Sequence, residues 1–346
     1  MREAQRQAVL GIMTCGIEIL PLNQQPPKDL LLQWIGQEIQ IEKQNSRALT
    51  ICEDVVSCFE RDGFDCCILK GQANLRYYPE EMKSRRSCGD IDVWTVPKSG
   101  GKRKVNTVRK VLKYVEEHHI MTALCWLHCG YLEDCGMSVE VHFRPSFMND
   151  PFRNRRFLMH FASINHVCCR EVIEGKELPV MKVDDDAIFQ MNHIYRHLID
   201  EGVGLRQVVD FYWLIHAWNK QHICTKEDTM RIVASMGMKR FAGALMCVLR
   251  DVCGIREDLL LCPANDDDGR FLINEIMLAG NFGHDDPRMA DLELKKGFGR
   301  QLNQAWRRFK RNLRFILSYP GEVIWEPIAR CYHFAWKKMK LWNWGF

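Results

Sequence analysis

Cys66-Cys67-Ile68-Leu69-Lys70-Gly71, followed after a loop by Gly89-Asp90-Ile91-Asp92-Val93-Trp94, decides the fold. The first run reads as a short apolar strand that stops at Lys70-Gly71. The second reads as another strand, with two carboxylates separated by one apolar residue. Side chains alternate across a strand, so Asp90 and Asp92 face one way while Ile91 and Val93 face the core. Two like charges about 7 Å apart on one face repel. A divalent cation would remove that repulsion and use both carboxylates. A two-ion phosphoryl-transfer site needs about three rigidly held acids, so a third should come from a neighbouring strand. Val139-Glu140-Val141 supplies one: Glu140 lies between apolar residues and shares its face with His142 and Arg144.

Working outward, helical spacing over 2–20 closes at Pro21 and Pro26-Pro27, and further helices are predicted over 28–43 and 45–62. A strand over 65–70 leads into a short helix, 72–78, that Pro79 stops, and then into the charged loop 80–88. After the strand 90–96 come an amphipathic helix, 102–119, and two strand-like runs, 123–132 and 137–144, joined by Glu133-Asp134-Cys135-Gly136. This order predicts an α/β (α+β) unit: a small mixed β-sheet flanked by helices. Past residue 150 strands nearly vanish, and helical patterns occupy 184–201, 204–220, 226–237, 238–253, 269–279 and 300–317. The expected division is N-terminal helices 1–44, a catalytic core 45–150, a helical domain 151–300 and C-terminal helices 301–346. Asp184-Asp185-Asp186 reads as an N-cap with first-turn acids, and Asp266-Asp267-Asp268-Gly269 as a solvated loop.

With 47% hydrophobic and 27% charged residues, disorder is not the expectation for this chain. Its sixteen cysteines include no Cys-x-x-Cys, which favours reduced, buried thiols in a cytoplasmic protein over a disulfide framework or a zinc site. No uncharged run reaches the roughly 18 residues that cross a bilayer, and no signal peptide is convincing. Residues 301–346 hold nine Lys/Arg against two acids, and five of the ten tryptophans. Arg307, Arg308, Lys310, Arg311 and Arg314 share one helix, and Trp336-Lys337-Lys338-Met339-Lys340-Leu341-Trp342 forms a second patch. Helices docking their Trp and Phe on the core come first as an explanation, then RNA contact, then peripheral contact with an anionic membrane.

Taken in order, Ile68-Leu69-Lys70-Gly71, Arg86-x-x-Gly89-Asp90-Ile91-Asp92-Val93 and Val139-Glu140-Val141-His142 resemble the uncharacterised bacterial nucleotidyltransferase family. That family lies within the polymerase-β-type nucleotidyltransferase superfamily. The resemblance extends weakly to Gly204-Leu205-Arg206-Gln207-Val208-Val209-Asp210. It implies that Asp90 and Asp92 ligate two Mg²⁺ (or Mn²⁺) and that Glu140 completes the ion nearest the attacking hydroxyl and helps activate it. It implies a nucleoside triphosphate as substrate, approaching the backbone at Gly71 and Gly89, with pyrophosphate released. The superfamily commonly has Gly-Gly or Gly-Ser where this chain has Lys70-Gly71-Gln72, so Lys70 is expected to touch phosphate as a point charge. Arg86 is expected to clamp phosphate bidentately. Arg206 and Asp210, four apart on a helix, suit a local ion pair that braces the helical half.

His142 is a secondary candidate, and His128 on the other hairpin strand is a further one. His193-x-x-x-His197 reads as a core or interdomain pair. The acceptor stays open among tRNA or other RNA, a small molecule and a protein hydroxyl. The competing readings are a catalytically silent nucleotidyltransferase-fold module, such as a toxin–antitoxin component or a regulator, and a partner within a polysaccharide pathway.

Overall fold

The two apolar runs pair with each other as antiparallel strands β1 (Phe64–Leu69) and β2 (Ile91–Pro97), with Leu69 opposite Asp92. This computed structural model describes residues 1–98, 106–283, 286–288 and 298–343. The hairpin expected after residue 120 forms three strands, β3 (Met121–Leu124), β4 (His128–Leu132) and β5 (Ser138–His142). β5 lies parallel to β2 with Asp92 opposite Glu140. On the far side β1 runs parallel to β7 (Lys176–Met181), and β7 pairs with β6 (Cys168–Ile173). The result is a seven-stranded mixed sheet in the order β3-β4-β5-β2-β1-β7-β6.

The mixed sheet flanked by helices is the expected class, but strands do not vanish at residue 150. β6 and β7 extend the sheet to residue 181. Their sequence hides them: Cys168-Cys169-Arg170-Glu171 does not alternate cleanly, and Pro179 sits inside β7, where proline argues against a strand. Their two-residue turn is Glu174-Gly175, with φ of 49° and 77°, a left-handed pair for which Asn-Gly is the usual signal.

The helices that precede and enter the sheet are α1 (Arg2–Arg6), α2 (Leu10–Glu18), α3 (Lys28–Arg61), α4 (Glu80–Lys83) and α5 (Thr107–His118). The two helices expected over 28–62 are one, because nothing near residue 44 breaks an α-helix. The polar Asn45-Ser46 that suggested a boundary is a docking point instead. Asn45 is buried, and its Nδ2 donates to the Ser84 carbonyl at 2.6 Å. Conversely, 2–20 is interrupted at Gln7–Val9, where Ala8 takes a φ of 56°. The segment 72–78 is a 3₁₀ helix, Gly71–Tyr77, rather than an α-helix. The first residues expected of the helix 102–119 lie outside the described residues.

The chain continues through α6 (Pro151–His160), α7 (Ile164–Val167), α8 (Val183–Asp200), α9 (Leu205–Gln221), α10 (Lys226–Ser235), α11 (Lys239–Cys253), α12 (Asp266–Ala279), α13 (Phe298–Phe315) and α14 (Pro320–Asn343). Strand parity divides the core between the two sheet faces. Ile68, Ile91, Val93, Val139, Val141 and Val180 pack with α3 and α5 residues such as Val56 and Val115. Cys67, Leu69, Trp94 and Met181 pack with Ile188, Met191 and Phe211 of α8 and α9. Asp184, Asp185 and Asp186 stand in the first turn of α8 as expected, although the N-cap position is Lys182, and each acid also has a partner outside the helix. Asp186 pairs with buried Arg76 at 3.0 Å, Asp185 with His160 at 2.8 Å, and Asp184 accepts from the Ile223 backbone at 2.9 Å. Asp266–Asp268 is not a loop. It opens α12, and buried Asp268 holds Arg240 through two 2.7 Å bonds.

The C-terminal helices dock only in part as the first-ranked expectation has it, because Trp306, Phe309 and Phe334 stay exposed. Phe315, Tyr319 and Val323 enter the core beside α8 and α11, and Trp336 is buried against Trp126, ring centroids 5.3 Å apart. The side chains of 298–304 and 341–343 lie outside the description, and with them Trp342. Among the described residues no helix is long and apolar enough to cross a membrane.

Candidate functional site

Three adjacent strands bring the acids together. Ile91 and Val93 are buried against α3 and α5, so Asp92 points to the opposite face, toward α8. The parallel register sets Glu140 beside Asp92 and His142 beside Trp94. On the other flank of β5, His128 lies opposite His142, and Gly130 lies opposite Glu140. Asp90, just before β2, is on the exposed rim.

A chain of ionisable groups in contact crosses this face. Lys70 Nζ lies 3.0 Å from Asp92 Oδ2, and Asp92 Oδ1 lies 2.9 Å from His142 Nε2. The same Nε2 is 3.6 Å from Glu140 Oε2, which is 2.8 Å from His128 Nδ1. Burial acts against the ionised Glu140, but His128 and His142 outweigh it and hold this carboxyl well below the usual range. Burial likewise opposes a charged His128, yet Cys125 and Glu140 beside it push its imidazole up to about 10. Asp90 moves the other way. Burial, then the charges of Glu140 and Asp92, push its carboxyl up.

The backbone at Lys70-Gly71 is the sharpest irregularity in the sheet. Lys70 has φ 40° and ψ −157°, and Gly71 has φ 54°. Glycine reaches such angles freely, whereas a side chain pays about 1–3 kcal/mol for them. The strain turns the chain out of β1 and leaves the Lys70 ammonium beside Asp92. Gly71 therefore opens a 3₁₀ turn, and its α-hydrogen side faces the Asp90 carbonyl, 3.8 Å from where a Cβ would stand.

Arg86 lines a smaller cavity beside the acids, together with Lys70, Gly71, Gly89, Asp90 and Asp92. It is buried, its Nε and Nη2 donate to Asp210 Oδ1 and Oδ2 at 2.6 and 2.7 Å, and its Nη1 donates to the Ser87 carbonyl at 3.2 Å. The fork expected for phosphate is taken up by a carboxylate. Asp210 also accepts from Tyr78 OH at 2.7 Å, and the charge of Arg206 acts on it beside that of Arg86. Arg206 also reaches the Ser87 and Cys88 carbonyls at 3.3 and 3.5 Å, next to Gly89. Bracing is what Arg86, Arg206 and Asp210 share: all three tie the loop 84–89 to α9.

The acids open onto a cavity of about 700 Å³ between the sheet and α8. Lys70, Asp90, Asp92, Glu140, His128 and His142 form its floor, and His193, Arg196 and His197 come from α8. His193 and His197 are the interdomain pair expected, with ring centroids 4.3 Å apart, and burial pushes both below the ordinary imidazole value. Among the wall residues that escaped the sequence reading are Trp126, Phe147, Arg196 and, from α14, His333, whose ring stacks 5.2 Å from that of Trp126. Arg196 had a signal, since it stands between His193 and His197 on the same helix. His333 had none, because only the fold brings α14 to this wall. A volume of about 700 Å³ suits a nucleotide-sized ligand.

A family profile described as an uncharacterised nucleotidyltransferase matches residues 1–254. Among solved structures, the chain is similar to one described as an antigenic nucleotidyltransferase-like protein from Paracoccidioides brasiliensis. That likeness has 10% identity and a TM-score of 0.36, over 64% of this chain and 96% of the other. No curated protein matches.

Proposed function

The chain belongs to the uncharacterised nucleotidyltransferase family, and from that premise we propose that it transfers a nucleoside monophosphate from a triphosphate to an acceptor hydroxyl. The acceptor hydroxyl gives up its proton to solvent as its oxygen forms a bond to the α-phosphorus and the bond to the departing pyrophosphate breaks. The observation that carries this reading is the register of Asp92 against Glu140, with Asp90 two residues before Asp92 and all three lining one cavity.

These donors fit hard divalent cations. They are carboxylates on neighbouring strands, and Asp90 is pushed up by Glu140 and Asp92 in a way that added positive charge relieves. Asp90, Asp92 and Glu140 would hold Mg²⁺, which when bound supplies neutralisation of the charge on the triphosphate and on its leaving group. Lys70 adds a fixed positive charge beside Asp92. Glu140, held well below the usual carboxyl range by His128 and His142, is in the ionised form that a metal ligand needs. Nucleotide and acceptor are positioned by the cavity walls, where Arg196 offers charge and Trp126 and Phe147 offer stacking faces.

A second reading, a nucleotide-fold module without catalysis, has one observation in its favour. Both oxygens of Asp92 are engaged, one by Lys70 and one by His142. One experiment separates the two. The protein is incubated with Mg²⁺, each labelled triphosphate and total RNA or cell lysate, beside Asp90→Asn and Asp92→Asn. Label transfer with pyrophosphate release, lost in both variants, supports the enzyme. No transfer with any nucleotide supports the silent module.

A further inference from the structure

We propose that His128, Glu140 and His142 form a binding site for a divalent transition-metal ion of the zinc and cobalt type, which shares Glu140 with the carboxylate set Asp90, Asp92 and Glu140 but adds two imidazoles to it. The three donors come from two neighbouring strands and are set by their register. His128 stands opposite His142, and Glu140 precedes His142 by two residues on the same face. Gly130 faces Glu140 across the pair, so no side chain crowds that flank of the carboxylate. One donor atom from each residue lies within 4.8 Å of the other two. The two measured edges, 2.8 Å from His128 Nδ1 and 3.6 Å from His142 Nε2 to Glu140 Oε2, bracket the separation of ligands held about 2.0–2.2 Å from one ion.

His128 Nδ1 is short of Glu140 Oε2 yet makes no aligned hydrogen bond with it. The His142 side chain is 5% exposed, and its Nδ1 is buried with no hydrogen-bond partner. Its Nε2, the nitrogen that faces Glu140, bonds Asp92 Oδ1 at 2.9 Å and would exchange that partner for the ion. Two imidazoles and one carboxylate are the donor set that zinc-like ions take with a coordination position left over. Mg²⁺ prefers oxygen ligands and keeps its waters, so it gains little from His128 and His142. Asp92 Oδ1, 2.9 Å from His142 Nε2, borders the site and joins it to the Asp90 side. The inference stands whether or not nucleotidyl transfer is the activity, because the ion is held without nucleotide.

The test uses the full chain, stripped of metal by a chelator and titrated with Co²⁺ in the absence of nucleotide. The visible absorption of bound Co²⁺ is followed, and Zn²⁺ and Mg²⁺ serve as competitors. The proposal expects one tightly bound equivalent, displaced by Zn²⁺ and not by a large excess of Mg²⁺. It expects affinity lowered by about 10–100-fold or more in His128→Ala and in His142→Ala, with Asp90→Asn close to wild type. Unaltered Co²⁺ binding in His128→Ala overturns it, as does equal competition by Mg²⁺. His128 has 18% of its side chain exposed, so His128→Ala carries the test even where the more buried His142→Ala fails to fold. Loss of label transfer in Asp90→Asn with the Co²⁺ spectrum intact separates this site from the nucleotidyl-transfer reading.

Discussion

Arg86 and Asp210, 124 residues apart, meet through two parallel bonds of 2.6 and 2.7 Å and join the loop before β2 to the helical half. Both are buried, so the pair matters mainly through what is left when one member is removed. An orphaned buried charge costs about 3–5 kcal/mol. Arg86→Ala and Asp210→Ala should each lower the urea-unfolding free energy by that amount, and the double variant should lose far less than the sum. If Arg86 served phosphate instead, Arg86→Ala would raise the KM for nucleotide with little loss of stability.

Lys70 offers a test of backbone strain apart from charge. Replacing it with Ala or with Gly removes the same ammonium from Asp92. Only Gly relaxes the φ of 40°. Lys70→Gly should therefore be more stable than Lys70→Ala by about 1 kcal/mol, the reverse of the usual order in a strand or helix. Both should lose pyrophosphate release equally. Equal melting of the two variants would show that the turn at Lys70-Gly71 is unstrained.

Asp90 should behave as a group kept for function at a cost to stability. Its folded value lies above its unfolded one, through burial and then through Glu140 and Asp92. Its ionised form thus weakens the fold once the pH rises above the unfolded carboxylate value. Asp90→Asn should melt higher than wild type at neutral pH, and the difference should close in acid. Mg²⁺ should raise the melting temperature of wild type more than that of Asp90→Asn, and pyrophosphate release should fall by about 10²-fold or more in the variant. A variant that melts lower at neutral pH would contradict this.

The sheet centre and the acid triad were legible in the sequence because strand parity is local: Ile91 and Val93 in core-facing positions force Asp92 outward, and Val139 with Val141 do the same for Glu140. The edge β6–β7 was not, because Pro179 and an unusual turn residue at Glu174 remove the local signal. Arg86 illustrates the other limit. A loop arginine four residues before Asp90 looks like a phosphate clamp by position, and only the docking of α9 provides Asp210 to take it. Likewise the partners of Asp184, Asp185 and Asp186 come from three other elements, and no helix rule names them. Periodicity reports which way a side chain faces. What it meets there is tertiary.

Glu322 gives the attachment of α14 a pH dependence of definite sign. Its carboxylate accepts from the Asn149 backbone at 2.6 Å and, more loosely, from Asp150 at 3.5 Å. Burial pushes this carboxyl up to about 7 against those bonds, with Arg153 and Asp150 facing it from α6 and its cap. The unfolded chain loses this proton near the ordinary value of about 4.3, while the folded chain keeps it until about pH 7. Between the two the folded state binds more protons, so the contribution of Glu322 to stability falls as pH rises through that window and is flat above it. The slope approaches about 1.4 kcal/mol per pH unit at most. Glu322→Gln keeps an acceptor for Asn149 and cannot ionise. The gap in unfolding free energy between the variant and wild type should therefore widen in favour of the variant from pH 5 to pH 7.5. Protease cleavage between α12 and α14 should follow the same pH course in wild type and stay level in Glu322→Gln. A gap that is constant across this range would mean that Glu322 stays ionised in the folded protein and that its backbone bonds outweigh its burial.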